Sequence, residues 1–349
     1  MRMRTLGGTG MRVSAYCLGA MMFGSGGNPD HEECVRIIHT ALDGGINFID
    51  TADVYSAGES EEIVGQALRG RRDDVVLGTK AHGAMGRDIN MKGNSRRWIV
   101  REVESSLRRL QTDYIDLYQI HRPDQHTDIE ETLSALSDLV HSGKVRAIGS
   151  STFPAEQIVE AQWVAERRGY VRFRCEQPPY SIFVRGIEGS VLPACQKYGM
   201  GVIPWSPLGG GWLTGRIRKD TGVDMSTGRA RRLPERFDQG LPGNQAKLDA
   251  VEELIKIAAE AGCSLTHLAV AFVVGHPAVT AAIIGPRTMD QLTDLLAGAD
   301  VTLQDDVLDR IDQIVPPGVN LNPSDAGFQP PVLADPAARR RPLARRAAS

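Results

Sequence analysis

Eight times along this chain a short apolar run precedes a stretch with helical spacing, and no other feature restricts the fold as strongly. The apolar runs are "RVSAYCLGA" (12–20), "INFID" (46–50), "DVVLGTK" (74–80), "DYIDLYQIH" (113–121), "VRAIGSS" (145–151), "VRFRCEQ" (171–177), "GVIPWS" (201–206) and "TAAIIG" (280–285). Between them lie segments such as "SRRWIVREVESSLRRL", in which Ile99, Val103, Leu107 and Leu110 recur at helical spacing. Glycines close several of these segments before the next run, as in "LDGG", "HSGK" and "RRGY". Eight strands, each with a following helix, specify a parallel sheet with right-handed crossovers. That number favours a closed α/β (β/α)8 barrel over an open doubly wound sheet, with a short hairpin ahead of the first barrel strand. A dinucleotide fold of the open kind would also want GxGxxG after its first strand, and neither "LGGTGMR" nor "FGSGGN" has that spacing before a helix.

The 349 residues divide into a barrel over 1–316 and an irregular tail over 317–349, rich in Pro, Ala and Arg. Arg339, Arg340, Arg341, Arg345 and Arg346 read as a solvated end rather than an anchor for an acidic surface. A formal net charge of −3 gives no reason to expect nucleic acid or a membrane surface as partner. No apolar run approaches the length of a membrane span, and "MRMRTLGGTGMRVS" lacks a secretory apolar core. Cys17, Cys34, Cys175, Cys195 and Cys263 are odd in number and form no CxxC pair, so a reduced, cytoplasmic protein is expected.

Barrel enzymes hold their chemistry at the carboxyl ends of the strands. Those ends carry Asp50 and Tyr55, Lys80, His121, Ser150 to Thr152, Gln177, Trp205 and Ser206, and Gly285 and Arg287. A free phenol is a poor acid at neutral pH, but a neighbouring ammonium stabilises its phenolate and draws its pKa down. Asp50 supplies the counter-charge for Lys80, and a neutral His121 can direct a substrate oxygen by hydrogen bonding. Asp50, Tyr55, Lys80 and His121 together suit proton delivery to an oxygen that becomes negative during reaction, as in reduction of a carbonyl by hydride. A metal-dependent barrel hydrolase built on Asp50, His121 and His126 is the competing catalytic reading; Lys80 stands where it would want a ligand.

The segments "NFIDTADVYS", "LGTK", "TDYIDLYQIHRPD", "GKVRAIGSS", "PWSPLGGGWLTGR" and "IIGPRTMDQL" resemble, in order and spacing, the aldo-keto reductases, from about Leu6 to Pro316. The resemblance implies the tetrad Asp50, Tyr55, Lys80 and His121, with Tyr55 as the acid in reduction. It implies NADPH held by Gly19, Ala20, Met21, Asp50, Ser151, Gln177, Trp205, Ser206, Pro207, Leu208, Gly211, Leu213, Arg216, Gly285, Arg287 and Gln291. In that scheme Ser151 and Gln177 meet the carboxamide and Trp205 offers the flat face for the ring. Backbone N–H groups from Leu208 to Gly211 approach the pyrophosphate, with Arg216 nearby. Arg287, with the Thr288 hydroxyl, suits the adenosine 2′-phosphate and so NADPH over NADH. Three positions depart from the family pattern. Thr152 stands where asparagine is usual, Leu295 where an adenine-contacting asparagine is common, and Ala20 where threonine is common; weakened or retuned cofactor affinity is expected.

Arg216 to Asn244 reads as a long lid loop at the barrel mouth, with a basic cluster from Arg229 to Arg232. Met22, Phe23, His82, Met85 and Trp212 are pocket candidates, and they point to a small-molecule carbonyl substrate with an apolar or aromatic body. A monomer is the default. Potassium-channel β subunits resemble the same family, so the alternative function is a nicotinamide-binding, redox-sensing or partner-binding subunit with little turnover.

Overall fold

A computed structural model of the chain describes residues 1–226, 228–330 and 333, and for 228 and 229 the backbone alone. The five tail arginines and the Arg229 side chain lie outside the described residues. A hairpin of β1 (Met3–Thr5) and β2 (Arg12–Ser14) pairs antiparallel with Met3 opposite Ser14. The barrel strands follow: β3 (Tyr16–Gly19), β4 (Phe48–Asp50), β5 (Val76–Ala81), β6 (Ile115–Ile120), β7 (Val145–Ser151), β8 (Cys175–Gln177), β9 (Gly201–Val202) and β10 (Ala282–Ile284). All eight are parallel, in the order β10-β3-β4-β5-β6-β7-β8-β9. Backbone bonds from Thr280 N to Val202 O (2.7 Å) and from Ile283 N to Pro204 O (2.9 Å) tie the last strand to β9, which closes the ring. The (β/α)8 barrel is therefore the fold.

"RVSAYCLGA" is not one strand. Ala15 N donates to Arg2 O and Ser14 Oγ donates to Tyr16 O, so the chain bends there: Arg12–Ser14 joins the hairpin and Tyr16–Gly19 joins the barrel. Leu6 and Val13 of the hairpin pack with the inward side chains Cys17, Phe48, Leu117, Ala147, Cys175 and Ile283. The hairpin thus plugs the amino-terminal end of the barrel. Gly7 makes the plug possible: a Cβ there would meet Arg174 O and Gly201 N at 2.6 Å.

Eleven helices are present among the described residues: α1 (His31–Asp43), α2 (Glu59–Ala67), α3 (Arg96–Leu110), α4 (Ile129–His141), α5 (Ala155–Arg168), α6 (Val191–Lys197), α7 (Gly228–Arg232), α8 (Pro242–Glu260), α9 (Leu265–Gly275), α10 (Met289–Ala297) and α11 (Asp305–Ile314). Their starts follow sequence-legible caps: the side chains of Asp30, Ser95, Asp128, Ser264 and Thr288 each accept a first-turn N–H. Gly143, Gly169 and Gly199 take positive φ at helix ends (79°, 68° and 62°).

Where one helix after the seventh strand was expected, two long ones stand, α8 and α9, bent by 88°. Seven residues of α9 are buried (Leu265 and Leu268 to Val273), so its apolar character runs round the helix and its periodicity is weak. The expected lid loop also ends early, at Leu241; Asn244 is a buried residue of α8 whose amide donates to Glu235 O and Asp238 O. Among the described residues no single helix is long and apolar enough to cross a membrane.

Candidate active site

Side chains alternate along each barrel strand, and on β4, β5, β6 and β8 the last inward positions are polar. Asp50 ends β4, and its Oδ2 lies 2.6 Å from Lys80 Nζ on β5. Its Oδ1 accepts from Gln119 Nε2 of β6 (3.2 Å) and Gln177 Nε2 of β8 (2.9 Å). Lys80 is fully buried and donates also to Thr51 O (2.6 Å) and to the Tyr55 hydroxyl (3.5 Å). Tyr55 meets the edge of the His121 ring, with centroids 5.7 Å apart. The four residues of the expected tetrad are therefore one cluster.

Gln119 was not anticipated. It lies two residues before His121, on the same face of the strand, and the alternation in "YQIH" was the signal for it.

Burial alone would push the Lys80 ammonium pKa down, but the Asp50 carboxylate, with Tyr55, outweighs it and holds the pKa above its usual value. The expectation that Lys80 draws the Tyr55 phenol down is reversed in net direction. Burial raises that phenol by more than the Lys80 charge lowers it. His121 is held well below the usual imidazole pKa by burial and by Lys80, Arg122 and His82, so its ring is neutral near pH 7.

Below the Tyr55 loop lies a second buried group. Asp53 is fully buried; its N–H donates to Lys80 O and its Oδ1 accepts from Val54 N (2.6 Å), while Oδ2 has no partner. Burial, then the nearby Glu61 and Glu102, push its carboxyl pKa up to about 8. Arg109 binds both of those glutamates, at 2.6 and 2.5 Å.

The expected cofactor residues sit on or after the carboxyl ends of β3, β4 and β7 to β10. Ser151 and Gln177 are register partners on β7 and β8, and Ser151 Oγ donates to Gln177 O (2.9 Å). Thr152 follows with φ +61°, a left-handed conformation that asparagine tolerates and a β-branched residue resists. Its Oγ1 accepts from Trp205 Nε1 (3.4 Å) and Arg122 Nη1 (3.1 Å). Ser206 is also left-handed, at φ +58°, and Pro207 is buried. The N–H groups of Gly209 and Gly211 are not free for an anion: they donate to Ser206 O and Leu208 O in the following tight turns. Gly209, Gly210 and Gly211 have φ of 57°, 75° and 112°, which glycine alone adopts readily.

Gly19 and Ala20 are buried, Leu208 is half-buried and Leu213 is buried, whereas Met21 and Arg216 are exposed. Gly285 has open space beside it, and Arg287 is exposed at the start of α10, where Gln291 Oε1 accepts from Arg287 N (2.8 Å). Leu295 is buried on α10 among the core residues.

Of the pocket candidates, Met22, His82 and Met85 are half-buried at the mouth loops, and His82 Nδ1 pairs with Asn94 Oδ1. Phe23 and Trp212 are fully buried, and Trp212 stacks on Phe237 and donates to Arg236 O. These two are packing residues. His126 is exposed, and among the described residues no three His, Cys, Asp or Glu side chains gather as a metal-ligand set.

Residues 319–327 return to this mouth. Arg185 N donates to Val319 O, Leu321 N to Phe183 O, and Asn322 Nδ2 to Asn244 Oδ1. Asp325 pairs with the fully buried Lys247 at 2.5 Å and with Arg236 at 3.7 Å. A Cβ on Gly327 would lie 2.8 Å from Trp205 Cζ2 and 3.1 Å from Thr152 Cγ2. The segment is packed against the ring of Trp205, although its composition had marked it as an irregular tail.

The family model described as "Aldo/keto reductase family" matches residues 15–316. The chain is 40% identical to "Uncharacterized oxidoreductase YrpG" of Bacillus subtilis, over 89% of this chain and 95% of that one. It is 37% identical to "Aldo-keto reductase YhdN" of the same organism, over 84% and 88% of the two chains. It is also 37% identical to "Probable voltage-gated potassium channel subunit beta" of Oryza sativa, over 90% and 97%.

Proposed function

The chain belongs to the aldo/keto reductase family, and from that premise we propose that it is an NADPH-dependent oxidoreductase that reduces an aldehyde or ketone to an alcohol, with Tyr55 as proton donor. The observation that carries this reading is the line from buried Asp50 and Lys80 to half-buried Tyr55, beside a neutral His121. When bound, the dinucleotide supplies a hydride to the carbonyl carbon. His121 directs a ring N–H at the carbonyl oxygen, and Tyr55 gives that oxygen its proton. Because burial keeps the Tyr55 phenol protonated, the proton is in place before reaction. The Lys80 ammonium, held charged by Asp50, then stabilises the phenolate that remains. The placement of Ser151 and Gln177 side by side next to the half-buried Trp205 supports the nicotinamide reading. The Ser151 hydroxyl and the Gln177 amide N–H are engaged with Gln177 O and Asp50 Oδ1, and would have to exchange those partners for the carboxamide. Arg287 is exposed and has no acidic partner among the described residues, which supports NADPH over NADH.

The likeness to a chain named as a potassium channel β subunit favours a second reading, a nicotinamide-binding subunit with little turnover. One experiment separates the two: NADPH oxidation with a panel of aldehydes, wild type beside Tyr55→Phe, with NADPH binding followed by fluorescence. The reductase reading expects turnover to fall by roughly 10²-fold or more while NADPH stays bound. Full activity in the variant rejects Tyr55 as the acid. Tight binding without turnover of any aldehyde by the wild type moves the conclusion to the second reading.

A further inference from the structure

Arg122 directly follows His121 at the end of β6, half-buried at the mouth. Its Nη1 donates to His121 O (2.6 Å) and to Thr152 Oγ1 (3.1 Å), and its guanidinium carbon lies 5.9 Å from the centre of the Trp205 ring. Both acceptors are neutral oxygens. No carboxylate among the described residues pairs with Arg122, and the nearby Glu176 is occupied by Ser150 Oγ and Phe153 N. Three sunken arginines elsewhere in this protein do have carboxylate partners. Arg72 pairs with Asp116, Arg109 with Glu61 and Glu102, and Arg185 with Glu188 and Asp312.

A second guanidinium, Arg236, lies 6.0 Å from the same indole ring, and it shares its one carboxylate, Asp325, with Lys247. Desolvation is the largest influence on Arg122 and disfavours its charge. Tyr55 and Glu176 offset it in part, and the like charge of Arg236 adds to it, so the net pKa is lowered. A half-buried cation with a like charge nearby and no counter-ion is unfavourable unless something anionic arrives. Two directed bonds nevertheless fix its position, one residue from the ring that orients the carbonyl. The phenol of Tyr55 feels its charge.

We propose that Arg122 binds an anionic group on the body of the substrate, so that the preferred substrates are aldehydes or ketones carrying a carboxylate or a phosphate. Arg236, 6.0 Å from the Trp205 indole ring, adds a second positive charge. The inference rests on the reductase reading and narrows its substrate class. It differs from an apolar body alone: Met22 and Met85 hold the carbon frame, and Arg122 holds the charged end. A planar guanidinium with unused donors on one edge matches the oxygens of either anion.

The test uses matched aldehydes: benzaldehyde, 4-carboxybenzaldehyde and 4-formylphenyl phosphate, and butanal beside 4-oxobutanoate. The expected result is that the wild type prefers at least one anionic member to its neutral partner by tenfold or more in kcat/KM. Arg122→Met removes that preference by tenfold or more, mainly through KM, and Arg122→Lys restores part of it. Comparison of the carboxylate with the phosphate says which anion the site takes. Because the readout is a ratio within one enzyme preparation, partial misfolding of a variant does not imitate it. Equal preference in wild type and Arg122→Met overturns the anion site while leaving the reductase standing. Calorimetric titration with benzoate and phenyl phosphate keeps the other failure apart. Anion binding lost in Arg122→Met, with no aldehyde reduced by the wild type, removes the reductase reading and retains the site. Binding of both anions unchanged in the variant overturns the site.

Discussion

Asp53→Asn gives the sharpest test of the packing beneath the Tyr55 loop. Asp53 is fully buried, and its pKa rises from an ordinary 3.8 to about 8. Between those values the folded protein keeps a proton that the unfolded chain has released. The folded state therefore binds more protons than the unfolded one, and stability falls as pH rises through this window. The contribution is fully present below pH 3.8 and is lost by about pH 8. At about 1.4 kcal/mol per pH unit, the full span from 3.8 to about 8 amounts to an upper bound of about 6 kcal/mol. Asparagine keeps an oxygen to accept the Val54 N–H and cannot ionise. Glu102 and Glu176 are pushed up as well, so the parent declines for more than one reason, and only the difference between parent and variant isolates Asp53. Urea unfolding from pH 5 to pH 9 should show the variant gaining on the parent by roughly 1 kcal/mol per pH unit up to about pH 8 and then levelling. A stability difference that stays flat from pH 5 to pH 8 refutes the reasoning.

Two further changes test the mouth. Asp325→Ala strands the fully buried Lys247 ammonium and should lower stability by about 3–5 kcal/mol in chemical denaturation; a loss under about 1 kcal/mol would mean Lys247 does not depend on that carboxylate. Thr152→Asn relieves a left-handed β-branched residue while offering Oδ1 to Arg122 and Trp205, and should stabilise by about 1 kcal/mol; an equal loss would show that the Oγ1 bonds outweigh the backbone strain.

The sequence exposes Asp50, Lys80 and His121 because each sits at the end of an apolar run, and the ring of strands then forces them together. Gln119 carries the same signal but reads as one polar residue inside a strand, and only its bond to Asp50 gives it meaning. The network of Asp53, Glu61, Glu102 and Arg109 is less legible still. Its members come from a loop, α2 and α3, and no local pattern links residues 48 positions apart such as Glu61 and Arg109. Phe23 and Trp212 show the converse: an aromatic residue near a strand end reads the same whether it faces a ligand or the core, and both face the core. The direction of the Tyr55 shift depends on burial, which a sequence does not display. The segment 319–327 was hidden by composition, since Pro, Gly and Asn mark irregular backbone without saying what it packs against.

The hydrogen-bond pattern around Lys80 bears on why this arrangement tolerates buried charge. An ammonium has three donors, and here they go to Asp50 at 2.6 Å, Thr51 O at 2.6 Å and Tyr55 at 3.5 Å. Asp50 in turn takes three bonds, from Lys80, Gln119 and Gln177. A buried ion pair with its donors and acceptors met is stable only because each member is held, and removing one leaves the rest exposed to a desolvation penalty. Of the three Lys80 contacts, the longest is the one whose partner changes charge when a proton leaves the phenol. A neutral hydroxyl draws the ammonium weakly, whereas a phenolate would draw it strongly and shorten that contact. The two short bonds therefore fix the cation, and the long one leaves Tyr55 with an interaction that strengthens as its proton departs, the difference between ground and transition state that a general acid requires.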